Sequence, residues 1–269
     1  MIRLPDIPLS TAVLHQLERW QAEVDAHSRF ADRVEAAQRS FEHRNKPGNR
    51  TFAEVRSALT VMCSGAQRCG YCEDSAADEV EHIWPKDLYP ERVFAWRNYL
   101  YACGSCNGPK NNRFAVFPRG TRKPVEVSRP RGTPVRPPPQ GSPALIDPRH
   151  EDPMAFLMLE LQDTFYFEPI AHKGTKNHAR ADYTLRLLRL NSREHLRQAR
   201  ENAFIGYRAL LREYVSLREQ SVSHDALSRC IHAIQRAPHF TVWKEMQRQH
   251  RQHPELRGLF RKAPEALGW

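Results

Sequence analysis

The sequence predicts an α-rich α+β protein in which helical flanks enclose a small metal-stabilised insert. Three observations carry that prediction. Apolar residues recur at helical spacing over the first sixty or so positions and again from about residue 175. Two Cys-x2-Cys pairs, Cys69/Cys72 and Cys103/Cys106, fall within residues 63–117. Residues 118–148 hold nine prolines, which rules out a helix or a central strand there. The chain therefore divides into an N-terminal helical region (1–62), a cysteine-bearing core (63–117), a basic Pro-rich linker or arm (118–148) and a mainly helical C-terminal region (149–269).

In chain order, residues 10–43 read as helix, with Val13, Leu14, Leu17, Trp20 and Val24 on one face. Ala31, Val34, Ala37 and Phe41 resume the pattern after a break near His27-Ser28. The turn Asn-Lys-Pro-Gly-Asn at 45–49 follows. Thr51 and Glu54 form a capping box that opens a helix with Val55, Ala58, Leu59 and Met62 inward and Gly65 past its end. Residues 156–171 suit either a β-hairpin or a helical turn followed by a strand. Asn191 to Glu194 is expected to cap a further helix, with Leu196, Ala199, Phe204 and Leu210 near its apolar stripe. Pro238, Pro254 and Pro264 punctuate the short helices after it.

The net charge of +10 is unevenly spread, with +5 over residues 118–145 and +10 over 172–269. Such basic segments fit a polyanion partner, and equally a solvated arginine-rich helical face. No apolar run approaches the roughly 18 residues of a membrane span, and the opening MIRLPDIPLS lacks the apolar stretch of a secretory signal. A soluble, cytoplasmic protein with no membrane partner is expected. In that setting six cysteines point to metal rather than disulfides.

Each Cys-x2-Cys pair can sit on a tight turn and offer two thiolates to one ion, and four thiolates make a closed tetrahedral Zn²⁺ site. With every position filled by sulfur, such a zinc is structural. It leaves no open place for water or substrate, and it does not need His82 as a ligand. Cys63 and Cys230 have no partner at ligand spacing and read as buried apolar residues.

Between the pairs lie Glu81-His82-Ile83-Trp84-Pro85-Lys86 and Trp96-Arg97-Asn98-Tyr99-Leu100, and the second pair runs on through Asn107 to Lys110 and Asn111. An acid-His pair after one Cys-x2-Cys, an Asn-x-Leu segment and CxxCN-x-x-K resemble the HNH endonuclease motif, whose ββα-metal fold surrounds one divalent cation. The wider pattern of CxYCE, EHIxPK, FxWxNYLxACxxCNxxKxxxF and LRLNxRxxLxxAR is similar to the HNH nucleases of Septu and retron anti-phage systems. The core of the resemblance covers about 50 of the 269 residues. It implies His82 as general base, Glu81 and Asn107 as ligands of a catalytic Mg²⁺ or Mn²⁺, and Asn98 as the residue that orients the base. It further implies DNA as substrate and an ABC-type ATPase as partner, bound through the helical flanks.

The chemistry supports the same residues. A neutral imidazole can take a proton from water near neutral pH, and a carboxylate with a carboxamide leaves a hard cation free positions for phosphate oxygens. Asn111, four residues after Asn107, is an alternative ligand on the same helical face. Lys110 is expected at a phosphate, and Arg129, Arg131 and Arg136 along the nucleic-acid backbone. Trp84 and Trp96 read as core, and His172 and His178 as surface residues. Three rival readings remain: an RNase using the same site, a zinc-stabilised nucleic-acid-binding module without catalysis, and a restriction enzyme acting alone on a specific sequence.

Overall fold

A computed structural model describes the chain except for Ser75, Pro130 and Arg131. The N-terminal region forms α1 (Thr11–Asp25), α2 (Phe30–Arg44) and α3 (Arg50–Val61), with the break between α1 and α2 at the expected place. The start of α3 differs from the expected Thr51–Glu54 box. Asn49 caps the helix, its side chain accepting from Phe52 N at 3.1 Å. Glu54 is engaged elsewhere, taking the Ser10 amide at 2.6 Å and its hydroxyl at 3.0 Å, while Ser10 caps α1. The three helices bury Trp20, Phe41 and Phe52 around a shared aromatic centre with Phe94 and Tyr99.

The cysteine-bearing segment folds as strand, strand, helix. β1 (Glu79–His82) and β2 (Tyr99–Ala102) pair antiparallel with His82 opposite Tyr99 and Glu81 opposite Leu100, and α4 (Gly104–Lys110) packs back on β1. β3 (Phe114–Phe117) is the centre of a small sheet whose edges, β4 (Val125–Val127) and β5 (Ser142–Pro143), both come from the Pro-rich segment. Edge positions tolerate proline because the missing N–H breaks no ladder bond. Gly141 runs so close to this sheet that an added Cβ would lie 2.3 Å from the Phe117 carbonyl oxygen. Only glycine admits that approach.

Residues 156–171 resolve as a hairpin, β6 (Leu157–Leu159) with β7 (Phe167–Pro169). Helices follow: α5 (Lys176–Leu187), α6 (Glu194–Glu219), α7 (His224–Arg236), α8 (Phe240–Gln249) and α9 (Pro254–Lys262). Asn191 does not cap α6. Its amide brackets Phe167, accepting from the backbone N–H at 2.9 Å and donating to the carbonyl at 2.8 Å, so it ties the α5–α6 junction to the hairpin. The long helix α6 buries Leu196, Tyr207, Leu211 and Tyr214, and Trp243 of α8 fills the centre between Tyr207 and Phe260. Helices with a few small sheets make this an α-rich α+β fold. No helix among the described residues is long and apolar enough to cross a membrane.

Candidate active site and metal centre

The four paired cysteines converge. Cys69 and Cys72 lie on the turn before β1, and Cys103 and Cys106 on the start of α4, where the Cys106 N–H reaches the Cys103 carbonyl at 2.9 Å. All four are buried, and their sulfurs lie within 4.8 Å of one another. Cys72 Sγ and Cys103 Sγ are 3.8 Å apart. A tetrahedral zinc with Zn–S bonds of about 2.3 Å requires sulfur–sulfur edges of about 3.8 Å, so the arrangement fits that ion. Cys63 stands apart, its thiol facing the Leu59 and Arg68 carbonyl oxygens at 3.2 and 3.1 Å, and Cys230 is buried on α7.

A cleft of 230 Å³ opens beside this cluster, lined by Phe41, Glu81, His82, Lys86, Asn107 and Asn111 among others. His82 closes β1 and is buried. Its ring meets Phe41 edge-on at 4.4 Å and Tyr99 at 5.1 Å. Burial pushes the imidazole pKa down to about 3, with Lys86 and Lys110 adding to the effect against the Val93 carbonyl, so the ring is neutral at neutral pH. His82 Nε2 lies 2.9 Å from the Val93 carbonyl oxygen. A carbonyl can only accept, so Nε2 carries the proton and Nδ1 is the basic nitrogen.

Asn98 does not touch the imidazole. Its carboxamide accepts from Trp84 N at 2.8 Å and donates to the Trp84 and Arg92 carbonyls at 3.0 Å each, while its own carbonyl takes the Ile83 amide at 2.9 Å. These bonds close the loop between β1 and β2, and that loop carries the Val93 carbonyl facing His82. Asn98 thus bonds to the loop backbone rather than to the imidazole.

Lys110 departs from its expected place at a phosphate. Its ammonium is completely buried, ion-paired with Glu81 and donating to the His82 carbonyl at 2.8 Å. Burial raises the Glu81 carboxyl above the usual carboxylate range, against the pull of Lys110 and Lys86. The cation at the cleft is instead Lys86, half-buried with its ammonium 5.7 Å from the centre of the Phe41 ring. Asn107 is half-buried and gives its amide hydrogen to Glu79, one strand position-pair before Glu81 and on the same face. Asn111 is exposed and caps α4, its N–H on the Asn107 carbonyl at 2.6 Å. Oxygen donors from Glu81, Asn107 and Asn111 thus line one cleft, a hard donor set that suits Mg²⁺ or Mn²⁺, with Lys110 sharing the Glu81 carboxylate.

Trp84 packs on Tyr89 and Phe114, and Trp96 donates its indole N–H to the Ile7 carbonyl, so both serve the core. On the arm, Arg129 lies over the Phe30 ring and reaches the Arg136 carbonyl at 3.4 Å, and Arg136 is exposed. Arg131 lies outside the described residues. Glu79 and Val93 were not singled out in the sequence, and Phe41 was expected only as helix core. Strand alternation points to Glu79, whereas Phe41 and Val93 enter only through tertiary packing.

Over 68 residues, 23% of this chain, the sequence is 40% identical to the Septu protein PtuB of Bacillus thuringiensis. The aligned stretch is 26% of that protein, so the chain spans about a quarter of its relative's length. No family model matches the chain, and no solved structure matches it.

Proposed function

We propose that this chain is a metal-dependent DNA endonuclease of the HNH type, the effector of a Septu-like anti-phage defence system gated by an ABC-type ATPase. One observation carries the enzymatic reading: a buried neutral histidine, with its tautomer set by the Val93 carbonyl, shares a cleft with Glu81, Asn107 and Asn111. The similarity to a Septu protein supports the defence role.

In this reading His82 Nδ1 takes the proton of the water that attacks the phosphodiester, and burial keeps the ring unprotonated for that task. Lys86 offers its ammonium to a phosphate oxygen. Lys110 and Asn98 hold the strand and loop that present His82. Glu81 and Asn107, with Asn111 as alternative, would hold a Mg²⁺ or Mn²⁺ that supplies charge stabilisation at the scissile phosphate. Cys69, Cys72, Cys103 and Cys106 would hold a structural zinc apart from the chemistry, contributing folding energy to a segment with short strands.

Substrate class is tested by incubating the purified chain with supercoiled plasmid, linear duplex, single-stranded DNA and RNA, with Mg²⁺, Mn²⁺ or EDTA. Cleavage of DNA that EDTA abolishes is the expected result. Cleavage confined to RNA would make the protein an RNase, and binding without cleavage in either metal, with the ATPase partner supplied as well as without it, would leave a nucleic-acid-binding module.

A further inference from the structure

Of the four arginines in the segment Leu188–Arg200, Arg193 and Arg200 are turned onto the protein rather than to solvent. Arg193 Nη2 lies 3.2 Å from Cys106 Sγ and 3.1 Å from the Leu188 carbonyl oxygen, and its Nε lies 3.1 Å from the Arg189 carbonyl oxygen. The guanidinium is thus clamped by the α5–α6 junction with one edge on a thiolate. Arg200, one turn and more along α6, is 1% exposed and donates to the Phe165 and Leu190 carbonyls at 3.0 and 2.7 Å over the Phe167 ring. These bonds tie the start of α6 to the β6–β7 hairpin and to the α5–α6 junction.

A Zn²⁺ held by four thiolates carries a net charge of −2, and the Arg193 guanidinium, 3.2 Å from Cys106 Sγ, places a positive charge against it.

We propose that Arg193 is a counter-cation of the four-thiolate centre, so that metal loading and docking of the α5–α6 junction onto the nuclease insert are one coupled event. Arg193 acts directly, by a hydrogen bond to Cys106. The inference rests on reading the four cysteines as a zinc site. Partners of this kind around a metal typically change its affinity about 10- to 100-fold. Coupling is reciprocal: if the arginine holds the metal, the metal must hold the arginine's segment.

The test uses the full-length chain loaded with zinc. Wild type, Arg193→Gln, Arg193→Lys and Arg197→Gln are compared for zinc stoichiometry and for the rate of zinc transfer to a chromogenic chelator. Arg197→Gln removes the same charge four residues further on, within α6, but Arg197 is engaged with Glu194 and Glu201 rather than a thiolate. The expected result is one zinc per wild-type chain, release about 10- to 100-fold faster in Arg193→Gln, a smaller change in Arg193→Lys, and wild-type release in Arg197→Gln. Hydrogen exchange on the wild type adds a measurement without mutation: stripping zinc should deprotect residues 188–200. A wild type that binds no zinc overturns the metal reading itself. A wild type that binds zinc, with Arg193→Gln releasing it as Arg197→Gln does, overturns the counter-cation proposal alone. Unchanged exchange over 188–200 on zinc removal does the same.

Discussion

At Lys110 an ammonium group is withdrawn from water completely, and the Glu81 carboxylate beside it, itself buried, answers that charge. Removing one partner of such a pair leaves the other uncompensated, typically at a cost of about 3–5 kcal/mol. Lys110→Met should therefore lower the urea unfolding midpoint strongly, and Glu81→Gln added to it should restore part of the loss. A midpoint equal to wild type in Lys110→Met would mean that the ammonium is not held as described. The same residue shows where sequence reading stops. The cysteines, His82, Asn98 and Asn107 were legible because their spacing is local. Lys110 has a long stem, and whether it turns to solvent or back onto β1 is decided by what packs above α4. Asn98 was expected to orient the imidazole, whereas its carboxamide bonds the Trp84 and Arg92 backbone, a placement that local spacing does not reveal.

Among the elements, the helices of the N-terminal region were readable from apolar periodicity alone, and the break between α1 and α2 fell where that periodicity lapsed. The caps were less readable. Thr51 with Glu54 and Asn191 with Glu194 both have the right local chemistry, yet Glu54 caps nothing at its own helix and Asn191 brackets Phe167. A capping side chain serves whichever backbone group lies unpaired within reach, and that is settled by the fold. Asn49→Ala should thus cost about 1 kcal/mol of stability, as typical for a lost N-cap. Thr51→Ala should change it by no more than about 0.5 kcal/mol. Thermal denaturation of the two variants side by side decides between the caps, and equal losses would contradict the assignment to Asn49. The Pro-rich segment was expected as linker or arm. It supplies two edge strands, because β3 still had both edges open and edge pairing costs proline nothing.

For the whole molecule, charge and architecture meet at the arm and the basic C-terminal helices, whose +5 and +10 together exceed the net charge of +10 because the rest of the chain is net acidic. Arg129 holds the arm against α2 over the Phe30 ring and reaches the Arg136 carbonyl within the arm, and the Arg136 side chain is exposed. Each phosphate contact removed flattens the salt dependence of duplex binding by about 0.9 in log–log slope. The double variant Arg129→Gln/Arg136→Gln should flatten it by up to about 1.8, and an unchanged slope would make the arm a passive connection. The most direct test lies at the buried histidine. His82→Ala, assayed on plasmid DNA with Mg²⁺ or Mn²⁺, is expected to lose about 10²- to 10⁴-fold in cleavage rate, the usual loss of a general base. Its zinc content should match that of wild type, because no thiolate has been touched. Wild-type cleavage by a zinc-replete His82→Ala protein would contradict the central claim directly.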